Sequence, residues 1–145
     1  MDSPVFLILK WQAQFQKSRQ IMKILIVDDC KFFRQQLKDI LKELGYDEVS
    51  EAEDGRIALQ KLGREVYGLV FLDLEMPNVN GMQVLNAIRT HPSNQDLPVI
   101  MITSHAEKDN VLRVIKARPS SYIIKPIDKD KIEKKLVEIG MRKKE

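Results

Sequence analysis

Five short apolar runs, each followed by a stretch of helical periodicity, constrain this chain more than any other feature. Residues 21–27, 49–52, 69–72, 98–102 and 122–124 read as strands. Between and after them, apolar residues recur every three or four positions. Phe33, Leu37, Ile40, Leu41 and Leu44 form one such stripe, which stops at Gly45. Ile57, Ala58 and Leu62 follow Asp54 and Gly55; Met82, Leu85 and Ile88 follow a loop over residues 77–81. Val111, Leu112 and Ile115 mark a fourth helix, and Ile132, Leu136 and Ile139 a fifth that opens at Asp128. Asp54 and Asp128 have the side chain and the place of helix N-caps. Strands with no polar alternation are buried on both faces. The expected fold is therefore a doubly wound α/β domain, a five-stranded parallel sheet with helices on both faces.

The polar residues that stand out share one position in this scheme. Asp28, Asp29, Asp73, Thr103 and Lys125 all fall at the carboxyl ends of predicted strands. In an open parallel sheet that rim is where ligands bind, so residues far apart in sequence should converge there. Three carboxylates brought together repel and raise one another's pKa values. A hard divalent cation relieves the repulsion, and magnesium takes one or two carboxylates plus water and phosphate oxygens. Lys125 offers a fixed positive charge to a phosphoryl oxygen and Thr103 a hydroxyl donor. The set suits in-line phosphoryl transfer, which is mostly positioning and charge neutralisation. Asp73 is the candidate nucleophile.

The stretches ILIVDDCKFFR, LVFLDLEMPNVNG, VIMITSH and YIIKPI resemble, in order, the motifs of response regulator receiver domains. The resemblance runs from residue 22 to about residue 140. It implies the flavodoxin-like strand order 2-1-3-4-5 and a stand-alone, chemotaxis-regulator-like member of two-component signalling. It implies that Asp73 is both the phospho-acceptor and a magnesium ligand, with Asp29 a direct ligand and Asp28 a ligand mostly through water. The backbone carbonyl of Glu75 completes the metal shell, and manganese is the expected substitute for magnesium. Thr103 and Lys125 match the phosphate-sensing pair, Tyr122 the aromatic switch, and Pro126 a proline usually preceded by a cis peptide. Glu75 and His105 fall at positions that tune phosphate lifetime. The implied partners are a sensor histidine kinase or histidine phosphotransfer protein and a downstream protein target. The latter would meet the face made by the fourth predicted helix, the fifth strand and the fifth helix. The implied protein is not an enzyme toward other substrates, and is a monomer or weak dimer.

The sequence departs from the family pattern at three places. Asn80 stands where an acid is common, and Cys30 where serine, the better helix cap, is common. Arg118 and Pro119 replace a Gly-Ala pair before the last strand, which restricts that connection.

Competing readings fail on particular residues. A haloacid-dehalogenase-type hydrolase needs a second acid two residues after the nucleophile and then Thr or Val; Glu75 is followed by Pro77. A flavin or dinucleotide binder needs a phosphate loop after the first strand, where this chain has two acids. No helix-turn-helix segment follows the fifth helix, so DNA binding is not expected. A phosphorylation-independent interaction module of the same fold is the remaining alternative. His105 has no histidine or cysteine at metal-ligand spacing.

The single cysteine, Cys30, cannot form an internal disulfide, which fits a reducing, cytoplasmic setting. The apolar run 5–9 is too short to span a bilayer. Residues 1–21 form an extension carrying Lys10, Lys17 and Arg19 against Asp2. Either translation begins at Met22, or residues 6–15 form a short amphipathic helix. Residues 141–145 are a basic tail, and the lysines before it read as a solvated face.

Overall fold

A computed structural model describes residues 3–5, 22–104 and 118–141. The sheet has five parallel strands: β1 (Ile24–Val27), β2 (Val49–Ala52), β3 (Leu69–Asp73), β4 (Val99–Thr103) and β5 (Ser121–Ile124). Their order is β2-β1-β3-β4-β5, as the family resemblance implied. The described helices are α1 (Lys31–Glu43), α2 (Gly55–Arg64), α3 (Gly81–Thr90) and α4 (Lys129–Glu138). The fifth predicted helix is thus α4. The fourth, His105, the stretch 6–15 and the tail 142–145 lie outside the described residues.

Burial follows strand position. β1, β3 and β4 are buried at every residue, whereas the edge strands β2 and β5 are only partly so. Alternate side chains feed two cores. On one face Ile24, Ile26, Phe71, Ile100 and Ile102 pack against Phe33, Leu37 and Leu41 of α1 and Ile132 and Leu136 of α4. On the other, Leu25, Val27, Leu72 and Met101 meet Ala58 of α2 and Val84, Leu85 and Ile88 of α3. This is the two-sided covering that unbroken apolar strands demand.

Helix ends explain the turns that bring the chain back to the rim. Asp54 accepts a hydrogen bond from the Ile57 backbone N–H at 2.8 Å, and Asp128 from that of Lys131 at 2.8 Å. Both act as the expected caps. Asn80 forms a full capping box: it accepts from the Gln83 N–H at 3.0 Å, while the Gln83 side chain accepts from the Asn80 N–H at 2.9 Å. An acid is common at position 80 in the family, and here the amide starts α3. At α1, Cys30 supplies no side-chain cap. Gly45, at φ +95, turns the chain out of α1 in a conformation that a β-carbon disfavours. Arg118 has φ +59 just before Pro119, so the unusual pair coincides with a left-handed backbone that a glycine would adopt more easily.

Candidate functional site

The register of the sheet sets the site. Val27 pairs with Leu72, and Asp73 with Ile102. β1, β3 and β4 therefore end side by side, and the residues just past them share one rim. Asp28, Asp29 and Asp73 each present a carboxylate oxygen there, all within 4.8 Å of one another. Asp28 and Asp73 are buried, and Asp29 is exposed. The sequence placed these acids together correctly.

Lys125 reaches the same cluster from the end of β5. Its backbone N–H donates to the Thr103 carbonyl at 2.8 Å, which fixes its position beside β4. Its ammonium donates to Asp28 Oδ2 at 3.0 Å. The other oxygen of Asp28 accepts from the Cys30 backbone N–H at 2.8 Å. Asp28 thus also holds the backbone amide of the residue that precedes α1. Thr103 is buried at the end of β4. The Lys125–Pro126 peptide is cis. Tyr122 is half-buried, packed on the core shared by α2 and α3, with the Lys135 ammonium 5.6 Å from its ring centre.

Glu75 sits in the loop beyond β3. Its backbone N–H donates to Asp73 Oδ1 at 3.3 Å, and its carboxylate accepts from the Ser104 hydroxyl at 3.5 Å. Gly81 closes this loop against β3: its N–H donates to the Leu74 carbonyl at 3.1 Å. A β-carbon there would collide with the Asp73 carbonyl oxygen and lie 2.8 Å from Leu74 Cα.

The electrostatics are those of a compressed anion. Burial pushes the Asp73 carboxyl up, the Asp28 charge beside it adds to the rise, and its pKa reaches about 7. Lys125 and the Glu75 N–H pull the other way, while Asp29 adds a smaller push upward. Asp73 is thus an acid whose charge the protein alone does not fully balance. A hard divalent cation would balance it, and three oxygen donors at this spacing fit magnesium or manganese.

Two contributors were not legible in the sequence. Arg34, on the first turn of α1, donates from Nη1 to the Asp28 carbonyl at 2.7 Å and from Nε to Glu51 Oε1 at 3.1 Å. It thereby ties the end of β1 to β2. Phe33, which reads from periodicity as a core residue, also lies under the Lys125 ammonium, 4.1 Å from its ring centre. No pattern distinguishes either from an ordinary helical residue.

Fold and rim together define a doubly wound α/β domain with a cluster of three acids faced by a lysine. Residues 24–137 match the response regulator receiver domain, and the chain belongs to that family. It is 37% identical over 117 residues to the chemotaxis protein CheY of Pseudomonas aeruginosa, covering 78% of this chain and 94% of that protein. It is 36% identical over 121 residues to chemotaxis protein CheY-3 of Vibrio cholerae, covering 83% and 93% respectively. Among solved structures, Vibrio cholerae CheY4 superposes with a TM-score of 0.76 at 27% identity, over 82% of this chain and 98% of that one. The response regulator TrrA of Thermotoga maritima, solved in complex with Mg(2+)-BeF, superposes with a TM-score of 0.72 at 34% identity, over 82% and 99%. The chain is a CheY-like response regulator domain of two-component signalling, a family of signal transducers that are generally not enzymes. Among the described residues no helix is long and apolar enough to cross a membrane.

Proposed function

We propose that the protein is a phosphorylation-driven switch whose phospho-acceptor is Asp73. The observation that carries this reading is a buried carboxylate flanked by Asp28 and Asp29, with Lys125 held at the same rim. An Asp73 carboxylate oxygen attacks the phosphorus of a phosphohistidine on a kinase or phosphotransfer protein. The P–N bond breaks, and the electron pair leaves with the imidazole, which takes up a proton. Magnesium, or manganese in its place, supplies charge neutralisation for the acids and the incoming phosphoryl oxygens. Asp29 and Asp73 would be its direct carboxylate ligands, Asp28 would act mostly through water, and the Glu75 carbonyl would complete the protein's donors. That TrrA was solved with Mg(2+)-BeF supports this assignment by similarity.

Lys125 and Thr103 then bind phosphoryl oxygens, and Tyr122 turns inward as Thr103 moves. The new charge biases an element with two packings. The partner-binding face comprises the fourth helix expected from the sequence, β5 and α4, and its target is another protein rather than a nucleic acid. Glu75 and His105 set the lifetime of the phosphate; a Glu75→Ala, His105→Ala double variant decaying at the parent rate contradicts that role. The working unit is residues 22–140, a cytoplasmic monomer or weak dimer, with 1–21 an extension and 141–145 a basic tail.

The test is incubation with acetyl phosphate and magnesium. Base-labile phosphate is expected on the parent protein, and none on Asp73→Asn. Equal labelling of the two proteins refutes the assignment.

A further inference from the structure

We infer that Phe33 is a positioning residue for Lys125: its ring face and the Asp28 carboxylate together aim the ammonium at the phospho-acceptor rim. This rests on the reading that Lys125 meets the phosphoryl group. A lysine ammonium on a four-carbon stem is a flexible point charge. Three constraints restrict it here. The backbone of Lys125 is pinned to β4 through the Thr103 carbonyl. The ammonium hydrogen-bonds Asp28 at 3.0 Å. From a third side it stands over the Phe33 ring, 4.1 Å from the centre, within the range where the negative face of an aromatic ring attracts a cation.

Phe33 is itself immobilised. Its relative exposure is 6%, and it packs in the core that α1 shares with α4, Ile123 and Ile127. Three residues further along α1, the Gln36 side chain donates to the Ile127 carbonyl at 3.5 Å. One face of α1 thus holds both ends of the Lys125–Ile127 segment. Asp28 is a contact that a cation at the acid cluster would contest. The Phe33 ring carries no charge and would not be contested, so it remains as the ammonium turns from carboxylate to phosphoryl oxygen. A leucine at 33 would fill much of the same space without the ring's negative face.

The test separates packing from the cation contact. In the full chain, Phe33 is replaced by Leu, by Tyr and by mono-, di- and trifluorinated phenylalanine, the last series keeping shape while draining the ring face. The first readout needs neither metal nor phosphoryl donor: the NMR shift of the Lys125 Hε protons. An upfield ring-current displacement is expected in the parent and its loss in Phe33→Leu. The second is the rate of labelling by acetyl phosphate with magnesium. A stepwise fall with fluorination is expected, reaching about fivefold, the scale of one partly desolvated cation–ring contact, with Phe33→Tyr close to the parent. Unshifted Hε protons in the parent, or fluorinated variants labelling at the parent rate, overturn the proposal. A parent that takes no label refutes the phospho-acceptor reading instead, and the ring-current readout still decides whether Phe33 holds Lys125.

Discussion

The Lys125 ammonium and the buried Asp28 carboxylate form an ion pair at 3.0 Å across 97 residues of sequence. It joins the first strand's end to the last strand's end, and places on Asp28 a cation that a metal would have to rival. Removing the lysine leaves a buried charge with less compensation, which costs roughly 2–4 kcal/mol of folding stability. It also removes a competitor for the acids. Lys125→Met is therefore expected to melt at lower temperature in EDTA but to bind magnesium several-fold more tightly. Calorimetric melts and magnesium titrations of the two proteins check both halves.

The raised pKa of Asp73 gives stability a defined pH dependence. In the folded chain the carboxyl holds its proton up to about 7, against 3.8 for the free side chain. Between those values the folded state binds a proton that the unfolded state does not. The contribution is complete below about pH 4 and is lost as pH rises through 7. Asp73→Asn removes the loss. With EDTA present it is expected to be more stable than the parent at pH 8 by roughly 2 kcal/mol, discounted from the full conversion for solvent and Lys125 screening. The difference should shrink at pH 5. Urea titrations at both pH values measure it.

Magnesium affinity should rise over the same interval, because binding the cation requires Asp73 ionised. Isothermal titration at pH 6 and pH 8 is expected to show tighter binding at the higher value, with proton release greatest near pH 6. Affinity independent of pH would place the cation away from Asp73.

Gly81→Ala is expected to damage the site through the backbone. The added methyl has no room against the Asp73 carbonyl and Leu74. Overpacking of this kind costs roughly 1–3 kcal/mol, and relief requires β3 to shift where it carries Asp73. Both stability and labelling by acetyl phosphate should fall. Asn80→Ala, one residue away, is the control. It removes the α3 capping box, at about 1 kcal/mol, and should leave the labelling rate unchanged.

The fold was legible because unbroken apolar runs have few ways to be buried, and the acids because each ends such a run. Asp54 and Asp128 were readable as caps for a similarly local reason. Arg34 and Phe33 were not, because their roles depend on where the ends of β1 and β5 stand in space. A helical arginine ordinarily faces solvent, and an apolar residue at helical spacing ordinarily just packs. Asn80 was legible as a departure from the family, but its partnership with Gln83 became plain only from their hydrogen bonds. Cys30 shows a related limit: its side chain caps nothing, and the bond from its backbone N–H to Asp28, two residues earlier, became plain only from the structure.

The central claim is that Asp28, Asp29 and Asp73 hold one divalent cation at the rim of the sheet. Crystals grown with manganese and recorded at a wavelength where it scatters anomalously test this directly. One peak is expected among those three carboxylates, within bonding distance of Asp29 and Asp73 and of the Glu75 carbonyl. A map with no peak there, or with manganese only at other acids, contradicts the claim.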